Sequence, residues 1–485
     1  MENTNNATKA GGIVHQIPVE QIDFSPNISS DAENFFQTDA DIARMAARQG
    51  MVNYDKGQAI KVSSKILDMC LGLKSSKGST LPTTSDSVDD IVPEKPIVNE
   101  DKALVGATAF LAESGHVARK INLETGKSIK LFYGHTGPVT RVAVYLNHLG
   151  QERLITGSWD KNIKVWDTET KECLATLKGH TDFVKALVVR AVVGEISDAD
   201  GASKRRVKHE LFSASADGTI LHWDLETYQP FQGGAGGPWK GHVRGINDLC
   251  LTVEEDNEET NNANENSELN NGGKEYLYSA GSDSTIRKWD ITRGQGRGGH
   301  CVHVFKHHAT TVYKIIVDAM EIWSASADKT AQRLDLETKK VDTKLEHPDF
   351  VKSIAVAGPY VITGGRQETV RVWSVATGKL IKEIKGHFDE VSSIVTIGTT
   401  LLTASLDATI RRWSLKEKDL IAPAPEDIAE PLSNNPAHTS VTKESTSNSS
   451  TTQASSKEDS KQSMMTEEEE RELAELMDSD DDGDI

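Results

Sequence analysis

The sequence predicts an all-β protein built from small antiparallel sheets packed radially, and three observations predict it. First, the stretch ITGSWDKNIKVWD, Ile155 to Asp167, returns in altered form from Leu211, Leu277, Ile322, Val361 and Leu401. Second, each copy follows a histidine that stands four residues before a β-branched residue: His135 and Val139, His180 and Val184, His242 and Ile246, His308 and Val312, His347 and Val351, His387 and Val391. Third, the runs around each Asp are short, rich in β-branched residues and separated by turn formers, the pattern of paired strands.

Taken in chain order, each unit reads as four strands. One follows the histidine, two flank the Asp as a hairpin, and a fourth lies between one Trp and the next His, as in CLATLKGH, Cys173 to His180. A single sheet of that size leaves both faces wet. Stacking several radially buries the faces and leaves only short edges.

These residues resemble the WD40-repeat family, whose Gly-His and Trp-Asp signatures recur every 40 to 45 residues or so. The resemblance spans about residues 101–420 and implies a seven-bladed β-propeller. The segment GHVARKINLETGKSIKLFYGH, Gly115 to His135, matches the last two strands of a seventh unit without its Trp. The strand that closes the final blade is expected from Asp419 to Ala422 or from Gly12 to Phe24.

A hydroxyl, an imidazole and a carboxylate are also the ingredients of a hydrolase triad. Here, however, the set recurs: His135, Thr156, Asp160 and Trp166; His180, Ser213, Asp217 and Trp223; His242, Ser279, Asp283 and Trp289; His387, Thr403, Asp407 and Trp413. An enzyme needs one poised site, whereas a ring needs the same fastening in each panel. The repetition argues against catalysis, the scattered cysteines argue against a zinc site, and nothing asks for a cofactor; the resemblance implies a chain of hydrogen bonds from indole through hydroxyl and imidazole to carboxylate. Leu334 stands where Trp is expected and Gln367 where Asp is expected, so those blades should be less firmly tied.

Function then falls to surface contacts. The resemblance places the partner-binding face at the His loops and Asp turns, at the positions flanking each β-branched anchor and preceding each Asp. Trp159, Phe183, Lys185, Tyr313, Phe350, Lys352 and Arg366 occupy such positions and are residue types that interfaces favour. A face of cations and aromatics suits an acidic or phosphorylated peptide.

Outside the repeat, residues 1–100 read as an extension. Asp31 to Gly50 and Ile60 to Leu73 carry helix-compatible apolar spacing, and residues 74–100 read as a linker. Two insertions, RAVVGEISDADGASKRRVKHE and TVEEDNEETNNANENSELNNGGKE, read as loops, the second without fixed structure. Residues 421–485 read as an unfolded acidic tail, with a capped amphipathic segment at 466–477 that suits a partner's groove. SKRRVK, Ser203 to Lys208, is a weak import signal.

The net charge of −19 is concentrated. Residues 421–485 hold seventeen acids against four bases and residues 252–275 hold eight against one. The remainder is near neutral and offers phosphates or anionic lipid no long-range attraction, which argues against a nucleic-acid or membrane partner. No apolar run approaches the ~18 residues of a membrane span, and MENTNNATKAGG lacks the features of a secretory signal. Cys70, Cys173, Cys250 and Cys301 form no CxxC pair and read as reduced, mostly buried thiols. The expectation is a monomeric intracellular protein, cytoplasmic or nuclear, that assembles other proteins into a complex. The alternatives are a ubiquitin-ligase substrate receptor for an acidic or modified peptide, and an assembly factor in ribosome biogenesis or RNA processing.

Overall fold

The computed structural model describes residues 56–73, 104, 106–197, 203–231, 237–254, 274–291, 299–318 and 320–421. Seven antiparallel sheets follow one another in chain order. Blade 1 is Ile66–Leu71, Thr108–Glu113, Val117–Asn122 and Ser128–Tyr133. Blade 2 is Val139–Leu146, Glu152–Ser158, Asn162–Asp167 and Cys173–Lys178. Blade 3 is Val184–Ser197, Ser203–Ser215 and Thr219–Asp224, with its outer edge split between Gln229–Pro230 and Trp239–Lys240.

Blade 4 is Ile246–Glu254, Lys274–Gly281, Ile286–Asp290 and His300–Phe305. Blade 5 is Val312–Asp318, Glu321–Ser326, Thr330–Asp335 and Val341–Glu346. Blade 6 is Val351–Ala357, Tyr360–Gly365, Thr369–Ser374 and Leu380–Lys385. Blade 7 is Val391–Ile397, Thr400–Ser405 and Thr409–Ser414, completed by Ile60–Lys61.

Burial follows position in the blade. Every residue of Glu152–Ser158 is buried, because neighbouring blades cover both faces of a second strand, whereas Cys173–Lys178 buries only Leu177. The apolar clusters lie between blades rather than within them. Phe110 and Phe132 pack with Leu154 and Trp166 across blades 1 and 2, and Ile155 and Val165 pack with Leu211 and Trp223 across blades 2 and 3. Ile66 and Leu111 pack with Leu402 and Ile410 across blades 1 and 7, and the first strands of those two blades touch, so the ring is closed. This is the seven-bladed β-propeller that the repeat implies.

Closure differs from expectation. The final blade takes Ile60–Lys61 as its fourth strand, with Ile60 opposite Ile410 and Lys61 opposite Thr409. Val62 N–H donates to Ala408 O at 2.9 Å and Arg412 N–H to Gly57 O at 2.6 Å. Gly57 sits at φ 73° with its Cα against the Trp413 ring, where a Cβ would be 2.6 Å from the indole. The alternative segment Glu417–Ile421 is instead a short helix with Leu420 buried, and Gly12 to Phe24 lies outside the described residues.

The propeller therefore starts near residue 60, not 101, and Ile60 to Leu73 holds the strands Ile60–Lys61 and Ile66–Leu71 rather than helix. Ile66–Leu71 is the innermost strand of blade 1. Val62, at the position four before Ile66 where other blades carry His, left that strand without its marker. The first insertion is also corrected: Val184–Ser197 and Ser203–Ser215 stay paired as far as Ser197 opposite Ser203, so its β-branched run extends the hairpin beyond the sheet. SKRRVK lies on that strand. The second insertion lengthens its strands as far as Glu254 and from Lys274, and its middle, 255–273, lies outside the described residues, as do the helices expected within 31–50, the linker at 74–100, the tail from 422 and the segment 466–477.

Candidate protein-binding site at the channel mouth

The recurring polar set is a clasp. In blade 2, Trp166 Nε1–H donates to Thr156 Oγ1 at 2.8 Å, the hydroxyl meets His135 Nε2 at 2.7 Å, and His135 Nδ1 meets Asp160 Oδ2 at 2.7 Å. A carboxylate only accepts, so Nδ1 carries the proton and Nε2 accepts from the hydroxyl. The same chain joins Trp223, Ser213, His180 and Asp217 at 2.8, 2.9 and 3.1 Å. It joins Trp289, Ser279, His242 and Asp283 at 2.8, 2.7 and 3.0 Å, and Trp413, Thr403, His387 and Asp407 at 3.0, 2.7 and 3.0 Å.

The Asp does more than anchor a histidine. Asp407 also accepts N–H bonds from Phe388 at 3.0 Å and Thr409 at 2.9 Å, and the Thr409 hydroxyl at 2.6 Å. Burial alone would raise its pKa. The hydrogen bond and charge of His387 outweigh that and hold it at about 2. Burial and His135 act on Asp160 in the same opposed way, again leaving it at about 2. The acid closes the loop between blades, fixes the turn and caps the clasp at once.

Three blades depart from this scheme. Blade 5 keeps His308 on Asp328 at 2.7 Å and on Ser324 at 2.8 Å despite Leu334. The missing indole is replaced by His307, whose Nε2 reaches Ser324 Oγ at 3.0 Å. Elsewhere the residue before the clasp histidine is usually glycine, because a Cβ at Gly134, Gly241 or Gly386 would meet the Trp ring at 3.1, 3.0 or 2.8 Å. Leu334 is smaller than tryptophan, and at the glycine position His307 supplies the bond to Ser324 instead. The two substitutions compensate, so blade 5 is tied more firmly than its missing Trp suggests.

Blade 6 has lost its acid. Trp373 still donates to Thr363 at 2.8 Å, but His347 Nε2 and Thr369 Oγ1 are buried without a hydrogen-bond partner among the described residues. Among the described residues the ring makes one hydrogen-bond contact, between Nδ1 and Arg371 at 3.5 Å. Burial and then the Arg371 charge push His347 down to about 3. Blade 1 replaces the clasp altogether. Glu113, fully buried, pairs with Arg119, and Ser64 donates to Glu113 at 2.6 Å while Arg119 donates to Ser63 at 2.6 Å. The signal was a lone Glu ending the apolar strand TAFLAE.

Side chains emerge at the same point of every blade, with or without a complete clasp. In each of the seven blades the inner strand bulges just after its anchor, between Ile66 and Asp68, Val139 and Arg141, Val184 and Ala186, Ile246 and Asp248, Val312 and Lys314, Val351 and Ser353, and Val391 and Ser393. A bulge leaves one residue unpaired and turns its side chain away from the sheet. The seven residues so released, Leu67, Thr140, Lys185, Asn247, Tyr313, Lys352 and Ser392, all line one axial cavity of about 480 Å³.

Around that mouth the structure brings together part of the expected set. Trp159 stacks on Phe183 with centroids 5.0 Å apart, and both rings are exposed, at 47% and 36%. Trp159, Lys185, Tyr313 and Lys352 line the cavity, with the Lys352 ammonium 4.0 Å from the Tyr313 ring centre. Phe350 and Arg366 do not line it; they pair with each other 5.9 Å apart. In each case the residue before the Asp is tied to the residue before the anchor by a backbone bond, such as Ala216 N–H to Phe183 O at 2.9 Å and Arg366 N–H to Phe350 O at 3.2 Å.

In four blades the position after the released residue carries charge, as Asp68, Arg141, Asp248 and Lys314, and all four line the same cavity. Arg141 lies 3.4 Å from Asp68 and 3.9 Å from Asp248, and Lys314 lies 3.1 Å from Asp248. Asp248 also accepts Ile315 N–H at 3.0 Å and Asp68 accepts Val142 N–H at 3.3 Å, each stapling one blade to the next. Charged residues in otherwise apolar inner strands were the available signal.

Among the described residues no cluster of His, Cys, Asp or Glu is arranged to hold a metal, and no helix is long and apolar enough to cross a membrane. Of the four thiols, Cys173 is exposed rather than buried. Burial pushes the Cys250 thiol up to about 11.

A closed ring of seven repeated sheets, clasped by His, Ser or Thr, Asp and Trp, defines the WD-repeat propellers. The sequence profile described as "WD domain, G-beta repeat" matches residues 126–167, 171–224 and 378–414. An uncharacterized WD repeat-containing protein of Schizosaccharomyces pombe is 33% identical over 288 residues, covering 58% of this chain and 67% of that protein. The chain belongs to the WD40-repeat family. It is also 25% identical over 327 residues to Nuclear distribution protein nudF of Aspergillus niger, covering 61% of this chain and 63% of that one. Kinesin-like protein KIF21A of Homo sapiens is 24% identical over 292 residues, covering 57% of this chain but 16% of its own length.

Proposed function

We propose that this protein is a non-catalytic interaction platform that holds other proteins together through the face around its channel mouth. The observation that carries the reading is the division of labour among its polar residues. The imidazoles and carboxylates that resemble catalytic groups are consumed pairwise in clasps spread around the ring, while the side chains released by the bulges converge on one 480 Å³ opening beside an exposed aromatic stack. Exposed aromatic and cationic side chains around a rigid depression are what protein hot spots use. WD40 propellers generally serve as such scaffolds, and the relatives differ enough in kind that their partners stay their own.

The test is affinity purification of the full chain with and without the changes Trp159→Ala, Phe183→Ala and Tyr313→Ala, each checked for unchanged melting. Loss of a reproducible partner set in the variant supports the reading; an identical set in both rejects it. We also propose that it works inside the cell, in cytoplasm or nucleus, which a fluorescent fusion would test directly.

A further inference from the structure

The cations at the channel mouth are not equally neutralised. Arg141 has Asp68 at 3.4 Å and gives hydrogen bonds to Lys185 O at 2.5 Å and Asn247 O at 3.1 Å. Lys314 has Asp248 at 3.1 Å. Lys352 has Glu390 at 3.6 Å and the face of Tyr313. Lys185 has only the amide oxygen of Asn247, at 3.3 Å, with no carboxylate within 4 Å among the described residues.

Its surroundings do not compensate. Lys185 is half-buried, projects from a bulge into the cavity, and faces the charges of Lys352 and Arg141 across it. Burial first, then Lys352, hold its ammonium below the ordinary lysine range, against the opposing pull of Asp182. Placing a desolvated cation next to two like charges costs free energy unless an anion joins them. The mouth is shaped as if one member of the charge set arrives from outside.

Beside this position lies the Trp159 and Phe183 stack, and Tyr313 lines the same cavity. An incoming chain would thus meet a cation pocket and an aromatic ledge together.

We propose that the channel mouth takes an acidic linear segment of a partner protein, an Asp or Glu carboxylate entering between Lys185 and Lys352 while a neighbouring apolar side chain rests on Trp159. The inference rests on the reading of this face as a protein-binding surface and names the chemistry of what it binds. The carboxylate replaces part of the hydration that Lys185 has lost, and the two lysines share its charge. Because Lys352 is already partly paired with Glu390, Lys185 carries most of the discrimination.

The test is fluorescence anisotropy of the full chain with a short fluorescein-labelled peptide containing Asp-Glu-Phe, its Asn-Gln-Phe counterpart, and a phosphoserine peptide without acidic residues. The acidic peptide is expected to bind at least tenfold more tightly than the amide version, with affinity falling as salt rises. Lys185→Gln should weaken it about tenfold, Lys185→Arg should retain it, and Lys178→Gln on an outer strand should change nothing. Equal binding of acid and amide peptides, preference for the phosphoserine peptide alone, or an unchanged affinity in Lys185→Gln with an intact fold would overturn the inference. If the aromatic triple variant still loses its protein partners in that event, the platform reading stands and only the acidic specificity fails.

Discussion

Blade 5 offers a test of the clasp as a unit of packing and not merely a list of bonds. Its two departures are His307 for glycine and Leu334 for tryptophan: the imidazole bonds Ser324 where an indole would, and Leu334 is buried on the strand paired with that of Ser324. Leu334→Trp alone forces an indole into space the His307 ring fills, an overpacking cost of about 1–3 kcal/mol. His307→Gly alone removes the ring and its 3.0 Å bond to Ser324, leaving a void and an under-bonded hydroxyl, a cost of about 2 kcal/mol. Made together, the changes rebuild the arrangement of blade 2, with an indole donor on Ser324 and a glycine against its edge. The double variant should lie within about 1 kcal/mol of the parent, so the coupling should favour it by about 2 kcal/mol or more. Equilibrium urea unfolding near neutral pH measures this, provided the slope with denaturant is unchanged. Losses that simply add, to within about 0.5 kcal/mol, would refute the idea that His307 substitutes for the missing indole.

The remaining expectations use the same clasps. Asp160→Ala or Asp217→Ala should each cost about 2–4 kcal/mol and lower the melting temperature by several degrees, since several buried donors lose their acceptor, whereas Gln367→Ala should shift it by less than about a degree. Gln367→Asp supplies His347 and Thr369 with the carboxylate they lack and should raise the melting temperature by a degree or two, as calorimetry would register. His307, pushed by burial to about 4, and His347, pushed to about 3, stay neutral in the fold while the unfolded chain protonates from about pH 6.5 downward. Stability should therefore fall between about pH 6.5 and 4, and Gln367→Asp should flatten part of that slope in denaturant titrations. Below about pH 4 a second loss should begin, because the stability that Asp160 and Asp407 contribute, present above the unfolded carboxylate range, disappears as pH approaches their folded value of about 2. Ile60→Asp puts a charge in the core shared by blades 7 and 1 and should cost about 3 kcal/mol or more, with limited proteolysis cutting first near the ring closure.

How much was legible depended on whether a blade spelled out its clasp. The six copies with His and a Trp-like position could be aligned by eye, and four tetrads follow from that alignment because each polar residue recurs at a fixed spacing. Blade 1 hides its first strand: Val62 replaces the histidine, Glu113 and Arg119 replace the clasp with an ion pair, and the strand Ile66–Leu71 is separated from Thr108–Glu113 by a long insertion. Helical spacing in Ile60 to Leu73 was then the stronger local signal, and tertiary pairing overrode it. The compensation between His307 and Leu334 was illegible for a different reason. Residues that far apart in sequence show their shared volume only once the strands are placed.

The bulges explain why one frame can serve many partners. In every blade the anchor is buried and its neighbour two along is paired again; of the residues between them, Thr140, Asn247 and Ser392 bond a backbone carbonyl of the next blade, whereas Leu67, Lys185, Tyr313 and Lys352 make no such bond among the described residues. That residue can change from Leu67 to Lys185 to Tyr313 without disturbing a single strand bond, because the bulge has already released it. The clasp residue Asp, through its backbone and side-chain bonds, holds the turn at one end, and the anchor holds the strand at the other, so the released side chain is delivered to the same radius whatever its chemistry. Stability and recognition thus draw on different residues at adjacent positions. Substitutions at Leu67, Lys185, Tyr313 and Lys352 should alter binding with little change in melting, whereas substitutions one residue earlier, at the anchors, should do the reverse.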